Sequence, residues 1–167
     1  VVANLPYYAA SRIIRQFLEL DHKPSSLTVM VQLEVANRMV AIPGQMGMLS
    51  VAIQLYRNPK IVKTVRPSSF KPKPKVSSAV VDIQIHQEFE VEILSEKHFF
   101  EVVRGGFSAP RKQLRNSLSK GLSISPLNSE KYLERSKIDP ARRAQTLSLE
   151  EWSKLHVNIM SYNFDKI

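Results

Sequence analysis

Apolar patterning divides this chain at about residue 92. Before that point strand-like and helix-like patterns alternate; beyond it only helix-like patterns occur. Leu27 to Leu33 (LTVMVQL) is β-branched and apolar, as a central strand requires. Val1 to Ala3 reads as the end of a buried strand. Ile61 to Val65 (IVKTV) and Val80 to Ile85 (VVDIQI) alternate apolar and polar residues, the period of a half-exposed strand. Helical spacing recurs over residues 9 to 20 (Ile13, Ile14, Phe17, Leu18), from Glu34 to Val40, and at Leu49, Ala52, Ile53 and Tyr56. The order strand, helix, strand, helix, strand, strand predicts an α/β sheet. The last two strands have no helix between them, which suits an antiparallel pair at a sheet edge.

Beyond the divide, helices are predicted over residues 95–104, 111–119, 129–137 and 148–160. Ser95 is placed as an N-cap, with Leu94 and Phe99 as a hydrophobic staple. Ser148 and Glu151 form a capping-box pattern, and Leu147 with Trp152 repeats the staple spacing.

The 167 residues are 43% hydrophobic, enough to bury a core. Lys and Arg number 24 against 15 acids, a net charge of +9, which favours a polyanionic partner, nucleic acid before membrane. No cysteine is present, so disulfides, zinc-thiolate sites and thiol nucleophiles are excluded, and a reducing cytoplasm is the expected setting. No apolar run approaches a membrane span and no charged-then-apolar leader is visible. The first residue is Val rather than Met, so a fragment or a processed product is expected.

Three stretches carry candidate chemistry. In Asn4-Leu5-Pro6-Tyr7, Leu5 precedes a proline and stays extended, while Pro6 lacks an N–H and interrupts ladder pairing. The Leu5 carbonyl and the Asn4 side chain then offer two acceptors for the two protons of an amine. Tyr7 offers a face for stacking on a base. The tetrapeptide alone fits equally well a plain strand-to-loop turn with a packed tyrosine. Phe70-Lys71-Pro72-Lys73-Pro74-Lys75 places a ring and three lysines in a proline-stiffened loop. From Arg57 to Lys75 no acid occurs. A solvated loop with Phe70 tucked inward is the competing reading. In Phe107 to Leu118 (FSAPRKQLRNSL), Leu114 and Leu118 share a helix face, while Arg111, Lys112 and Arg115 point elsewhere, as an RNA-backbone patch would; a solvated basic face is the competing reading. Arg135, Lys137, Arg142 and Arg143 extend the basic character.

His22, His86, His98 and His156 are scattered without metal-ligand spacing, so surface or capping roles are expected and no metal site is. No Ser-His-Asp arrangement, P-loop or nucleophile elbow is found, and Gly105-Gly106 lacks dinucleotide-loop spacing.

Taken together, NLPYY at 4–8, QLEVANRMVAIPG at 32–44 with MGMLSV at 46–51, FKPKPKVSSAVV at 70–81 and FSAPRKQLRNSL at 107–118 resemble, in order, the motifs of the ribosomal RNA adenine dimethyltransferase family, the KsgA (RsmA) group with its Erm relatives. The resemblance runs over nearly the whole chain. It implies the carboxy-terminal part of a Rossmann-like S-adenosylmethionine-dependent methyltransferase sheet followed by a small all-α domain, with residues 1–92 a partial methyltransferase domain and residues 93–167 a helical domain for rRNA binding. It implies methyl transfer to the N6 amines of two adjacent adenosines in a hairpin near the 3′ end of small-subunit (16S) rRNA, as part of ribosome biogenesis. The partner would be small-subunit rRNA within a 30S precursor, and the protein a cytoplasmic monomer. Asn4 would lie between S-adenosylmethionine and the target amine and count among the cofactor-binding residues. Leu5, held by Pro6, would give its carbonyl, and Tyr7 and Phe70 would stack on the extruded adenine, since the amine is otherwise inaccessible. Lys71, Lys73, Lys75, Arg111, Lys112 and Arg115 would contact RNA.

The chain departs from the family pattern at Leu33 (usually Lys or Arg), Met46 (commonly Tyr), Ser77 (frequently Asp) and Pro110 (frequently Arg). The Gly-rich cofactor loop and the ribose-binding acid, which precede the catalytic turn in the family, are not found. The remaining strands are expected to expose a sheet edge, and the chain alone is expected to be inactive and to hold the cofactor poorly. Two other readings compete: a non-catalytic RNA-binding or ribosome-assembly module on the same basic surface, and a DNA adenine methyltransferase. The first has no need of the Asn4–Tyr7 turn or of Phe70; the second does not account for the Phe70–Val81 signature or the basic helix.

Overall fold

A computed structural model describes residues 1–56, 58–86 and 88–164. Arg57, the first of the basic residues leading to Lys75, lies outside the described residues. Contacts divide the chain into two compact units, one of Val1–Ala41 with Leu49–Glu90, the other of Ile42–Met48 with the chain from Val91 onward.

The first unit is built on a sheet of four strands, β1 (Val2–Asn4), β2 (Ser26–Gln32), β3 (Lys60–Val65) and β4 (Ser78–Gln84), in the order β1-β2-β4-β3. β1 runs parallel to β2, while β4 runs antiparallel to both β2 and β3. Among its described residues the unit also holds three α-helices, α1 (Ala10–Leu18), α2 (Leu33–Met39) and α3 (Met48–Gln54), whose first residue falls in the other unit, and a 3₁₀ turn at Pro67–Ser69. The pleat sends alternate residues of β2 and β4 to one face. There Leu27 opposes Ile83, Val29 opposes Val81 and Val31 opposes Ala79, all buried. With Ile14, Leu18, Met39, Val51 and Ile53 they form the core of this unit. Each such side chain contributes about 1.5–3 kcal/mol by leaving water. Thr28, Met30, Val80 and Asp82 lie on the opposite, half-exposed face. β1 is one edge of the sheet and its Val2 is 86% exposed.

The second unit holds α4 (Glu96–Phe107), α5 (Leu114–Gly121), α6 (Pro126–Arg135) and α7 (Leu149–Phe164). Ser95 caps α4, its Oγ accepting from the His98 N–H at 3.3 Å. The capping box at α7 forms as its spacing predicts: Ser148 N–H donates to Glu151 Oε2 at 2.8 Å, and Glu151 N–H to Ser148 Oγ at 3.3 Å. Several helix boundaries differ from the sequence reading, and α7 runs on to Phe164 rather than ending at 160. α4 continues through Gly105-Gly106, because both glycines are packing surfaces: Gly105 meets Gly121 of α5, and Gly106 meets the Trp152 ring. α5 starts at Leu114 rather than 111, after a turn in which Lys112 N–H bonds the Ala109 carbonyl. α6 starts at Pro126 rather than 129, with Ser125 as N-cap accepting from Asn128 N–H at 3.1 Å. The Ile42–Met48 segment is joined to this unit by Gly44 N–H and Met46 N–H, which both donate to the Gln145 carbonyl.

Candidate functional site

Asn4 is the last residue of β1, one residue further into the strand than the sequence suggests. Leu5 extends the pairing by one more bond, its N–H donating to the Met30 carbonyl at 3.2 Å, and its side chain is buried. Pro6 has no N–H to continue the ladder. Its carbonyl accepts from Ala9 N–H at 3.0 Å and turns the chain into α1. Among the described residues, neither the Leu5 carbonyl nor the Asn4 side chain has a hydrogen-bond partner. Two acceptors therefore stand at the carboxyl end of a parallel strand, where ligands of open α/β sheets bind.

Tyr7 is half-buried, and its hydroxyl and Ser78 Oγ form a 2.7 Å hydrogen bond. Ser78 is fully buried at the start of β4. Tyr8, beside it, is 95% exposed. Phe70 is half-buried and follows the short 3₁₀ turn Pro67–Ser69, its N–H bonded to the Pro67 carbonyl. Lys71, Lys73 and Lys75 are exposed, and the Lys71–Pro72 peptide is cis. Among the described residues neither the Tyr7 ring nor the Phe70 ring packs on another aromatic ring.

In the helical unit, Arg111 and Lys112 are exposed and precede α5 rather than lying in it. Arg115 is half-exposed and meets Glu130 at 3.4 Å, a surface pair that contributes little to stability. The first amides of α5 are already used: Leu114 N–H bonds the Arg142 carbonyl at 2.7 Å and Arg115 N–H the Pro140 carbonyl at 3.3 Å. Phosphate contact at this end would therefore rest on side chains rather than on the helix terminus.

Arg142 corrects the sequence reading. Its guanidinium donates to both Glu151 carboxylate oxygens, to the Thr146 carbonyl at 2.6 Å and to Thr146 Oγ1 at 3.1 Å. The same contact holds the Glu151 carboxyl below its usual range. Arg142 therefore fixes the turn that caps α5 and is not part of an open basic surface. Arg143, its neighbour, is exposed.

Two histidines that look scattered in sequence meet in space. His98 and His156 place their Nδ1 atoms 3.0 Å apart. His156 Nε2 accepts from Leu94 N–H at 3.1 Å and from Ser95 N–H at 3.4 Å. Its proton therefore sits on Nδ1 and is donated to His98, which carries its own on Nε2. Burial, then the neighbouring His98, pushes the fully buried His156 down to about 4. This is a neutral structural pair that satisfies backbone amides ahead of α4. Among the described residues no cluster of three or more metal-ligating side chains occurs, and no helix is long and apolar enough to cross a membrane.

Solved structures share this arrangement. The 23S rRNA methyltransferase ErmE superposes with a TM-score of 0.71 at 23% identity, over 95% of this chain and 64% of that one. A dimethyladenosine transferase from Plasmodium falciparum gives 0.78 at 22% identity, over 99% of this chain and 67% of that one. The fold is thus one shared with these structures, a Rossmann-like α/β sheet followed by helices. Residues 1–159 match the family model for ribosomal RNA adenine dimethylase, and the chain belongs to that family. It is 50% identical over 155 residues to ribosomal RNA small subunit methyltransferase A of Dehalococcoides mccartyi, covering 93% of this chain and 53% of that protein. It is 47% identical over 157 residues to the protein of the same description from Clostridium botulinum strain Okra, covering 93% and 57%. The chain spans about half the length of the curated relatives it matches.

Proposed function

We propose that this sequence supplies the target-base side of an S-adenosylmethionine-dependent methyltransferase acting on the N6 amines of two adjacent adenosines in a small-subunit rRNA hairpin. The observation that carries the reading is the pair of unused acceptors at the end of β1, the Leu5 carbonyl and the Asn4 amide oxygen, beside the tethered Tyr7 ring. An adenine amine has two hydrogens. Two acceptors that take both leave the nitrogen lone pair directed away from them, toward an incoming methyl group. Tyr7 and Phe70 contribute aromatic faces that hold an extruded base, and Lys71, Lys73 and Lys75 add charge for its backbone. In the helical unit, Arg111, Lys112 and Arg115 are the RNA-contacting residues of this reading, with 30S precursor rRNA as partner in a cytoplasmic setting. No side chain needs to act as general base, because the product ammonium can release its proton to solvent.

When bound, S-adenosylmethionine supplies an electrophilic methyl group. The residues present fit the reactive end of this donor only: Asn4, exposed at the carboxyl end of β1, is placed to meet it. No Gly-rich turn after a strand and no ribose-binding acid accompany it in this sequence. Isothermal titration of the chain as given with S-adenosylmethionine is expected to detect no micromolar binding; micromolar affinity would contradict this division of labour.

Replacing Arg111 and Arg115 together by alanine is expected to weaken binding of the rRNA hairpin and to lower the salt slope by about 1–2 units, since each lost phosphate contact removes just under one counterion. Glu130 already neutralises part of Arg115, so Arg111 should carry the larger share. A salt slope identical to that of the unaltered chain would rule out phosphate contact there.

A further inference from the structure

His156 uses both ring nitrogens, one on the Leu94 and Ser95 amides and the other on His98. The cleft of Glu101, Arg104, Ser108 and Ser123 at the α4–α5 crossing carries opposed charges and no ligand-directed group. The Tyr7–Ser78 contact joins the candidate site to β4, an interior strand of the sheet.

Ser78 belongs to the stretch FKPKPKVSSAVV, yet nothing in that sequence assigns it a partner. The structure gives it one 71 residues away. It begins β4, an interior strand of the sheet, with Gln32 of β2 and with Val65 of β3 as its cross-strand partners. The pairing runs one step further through Leu33 N–H to the Ser77 carbonyl at 2.9 Å. Ser78 is 0% exposed. A side chain so placed has a backbone that cannot drift.

Tyr7 has no such support of its own. It sits in the turn between β1 and α1, after a proline that ends the strand pairing. β1 and β4 are separated by β2, two strand spacings or about 10 Å. The chain therefore crosses over the carboxyl end of β2, and the Tyr7 hydroxyl closes the distance to β4. One hydrogen bond fixes the ring at its far end, while the backbone of the turn fixes it at the near end. Phe70 lies on the connection that feeds directly into Ser78, eight residues before it. The tether thus refers one aromatic ring of the site to the strand that carries the other's loop.

We infer that Ser78 is a positioning residue for Tyr7: its hydroxyl holds the tyrosine ring at the angle from which it stacks on the target adenine. This deepens, and rests on, the adenine methyltransferase reading above. Ser78 touches neither base nor cofactor. It acts through Tyr7 alone, so its effect belongs in kcat rather than in KM for RNA, since misplacement of a reacting group costs turnover steeply.

The test is a double-mutant cycle of Tyr7→Phe and Ser78→Ala in the full-length protein, with methyl transfer to 30S subunits that lack the modification as readout. Tyr7→Phe keeps the stacking face and the fold while deleting the tether from the other side. Each single variant is expected to lower kcat by roughly tenfold, with KM for RNA within about twofold. The double variant is expected to be no worse than either single, because both delete the same bond. Turnover of Ser78→Ala within twofold of the unaltered protein, or a double variant that falls by the product of the two singles, would overturn the inference. The unaltered protein separates the two levels. If it methylates and Ser78→Ala does too, only the tether fails; if it does not methylate at all, the underlying reading fails and the inference with it.

Discussion

Tyr7→Ala in the full-length protein is expected to depress methyl transfer by about five- to 150-fold, the kinetic equivalent of the 1–3 kcal/mol that stacking on one base is worth. Tyr7 follows the two unused acceptors of the turn, and its ring is held by Ser78 at 2.7 Å without packing on another aromatic ring among the described residues. The half-buried ring is anchored by its hydroxyl, so its removal takes away a face rather than a core filler. The fold should be retained at a cost of about 1–3 kcal/mol for the buried Ser78 hydroxyl left without its partner, and thermal denaturation of the variant checks that separation. Wild-type turnover by Tyr7→Ala would refute the stacking role and leave only the competing reading of a packed turn.

The largest effect on stability is expected at the crossing of α4 and α5. A Cβ at Gly121 would lie 2.3 Å from Gly105 Cα and 2.5 Å from the Gly105 carbonyl oxygen. These are backbone atoms and cannot rotate aside. Alanine gains about 1 kcal/mol of intrinsic helix preference over glycine. Overpacking costs about 1–3 kcal/mol where side chains can yield, and more where they cannot. Gly121→Ala is therefore expected to destabilise the helical unit by about 2–4 kcal/mol net, read as a fall in the urea midpoint. Gly47→Ala is the control, since nothing lies within 4 Å of a Cβ there. A Gly121→Ala midpoint equal to or above that of the unaltered chain would show that the two helices do not meet through these glycines.

Much of this architecture is legible in the residues. Alternation of apolar runs yields β2 and β4, and cap-plus-staple spacing yields the starts of α4 and α7, because those signals are local. What escapes is set by distant partners. Gly105-Gly106 reads as a helix end until Gly121 and Trp152 are seen against it. Arg142 reads as surface charge until Glu151 and Thr146 enclose it. The start of α6 was available, since Ser125-Pro126 is an N-cap followed by proline at the first helical position. The start of α5 was not, because its first amides are capped by carbonyls of Pro140 and Arg142, well downstream.

The candidate site divides in the same way. Asn4, Leu5, Pro6 and Tyr7 are adjacent in sequence, and the reason they matter, a proline that frees a carbonyl at a strand end, can be argued from residue types. Ser78 cannot be found that way, because its partner is 71 residues distant and a serine among serines carries no signal. His98 and His156 escape for the same reason, their ring contact spanning 58 residues.

The central claim is that this sequence holds an rRNA adenine while its amine is methylated. The most direct measurement incubates the full-length protein with S-adenosylmethionine and 30S subunits lacking the modification, then maps modified nucleosides by mass spectrometry. The expected product is N6,N6-dimethyladenosine at two adjacent positions of the 3′-end hairpin of small-subunit rRNA. Methyl transfer to another base or to DNA, or RNA binding without any methyl transfer, would contradict it.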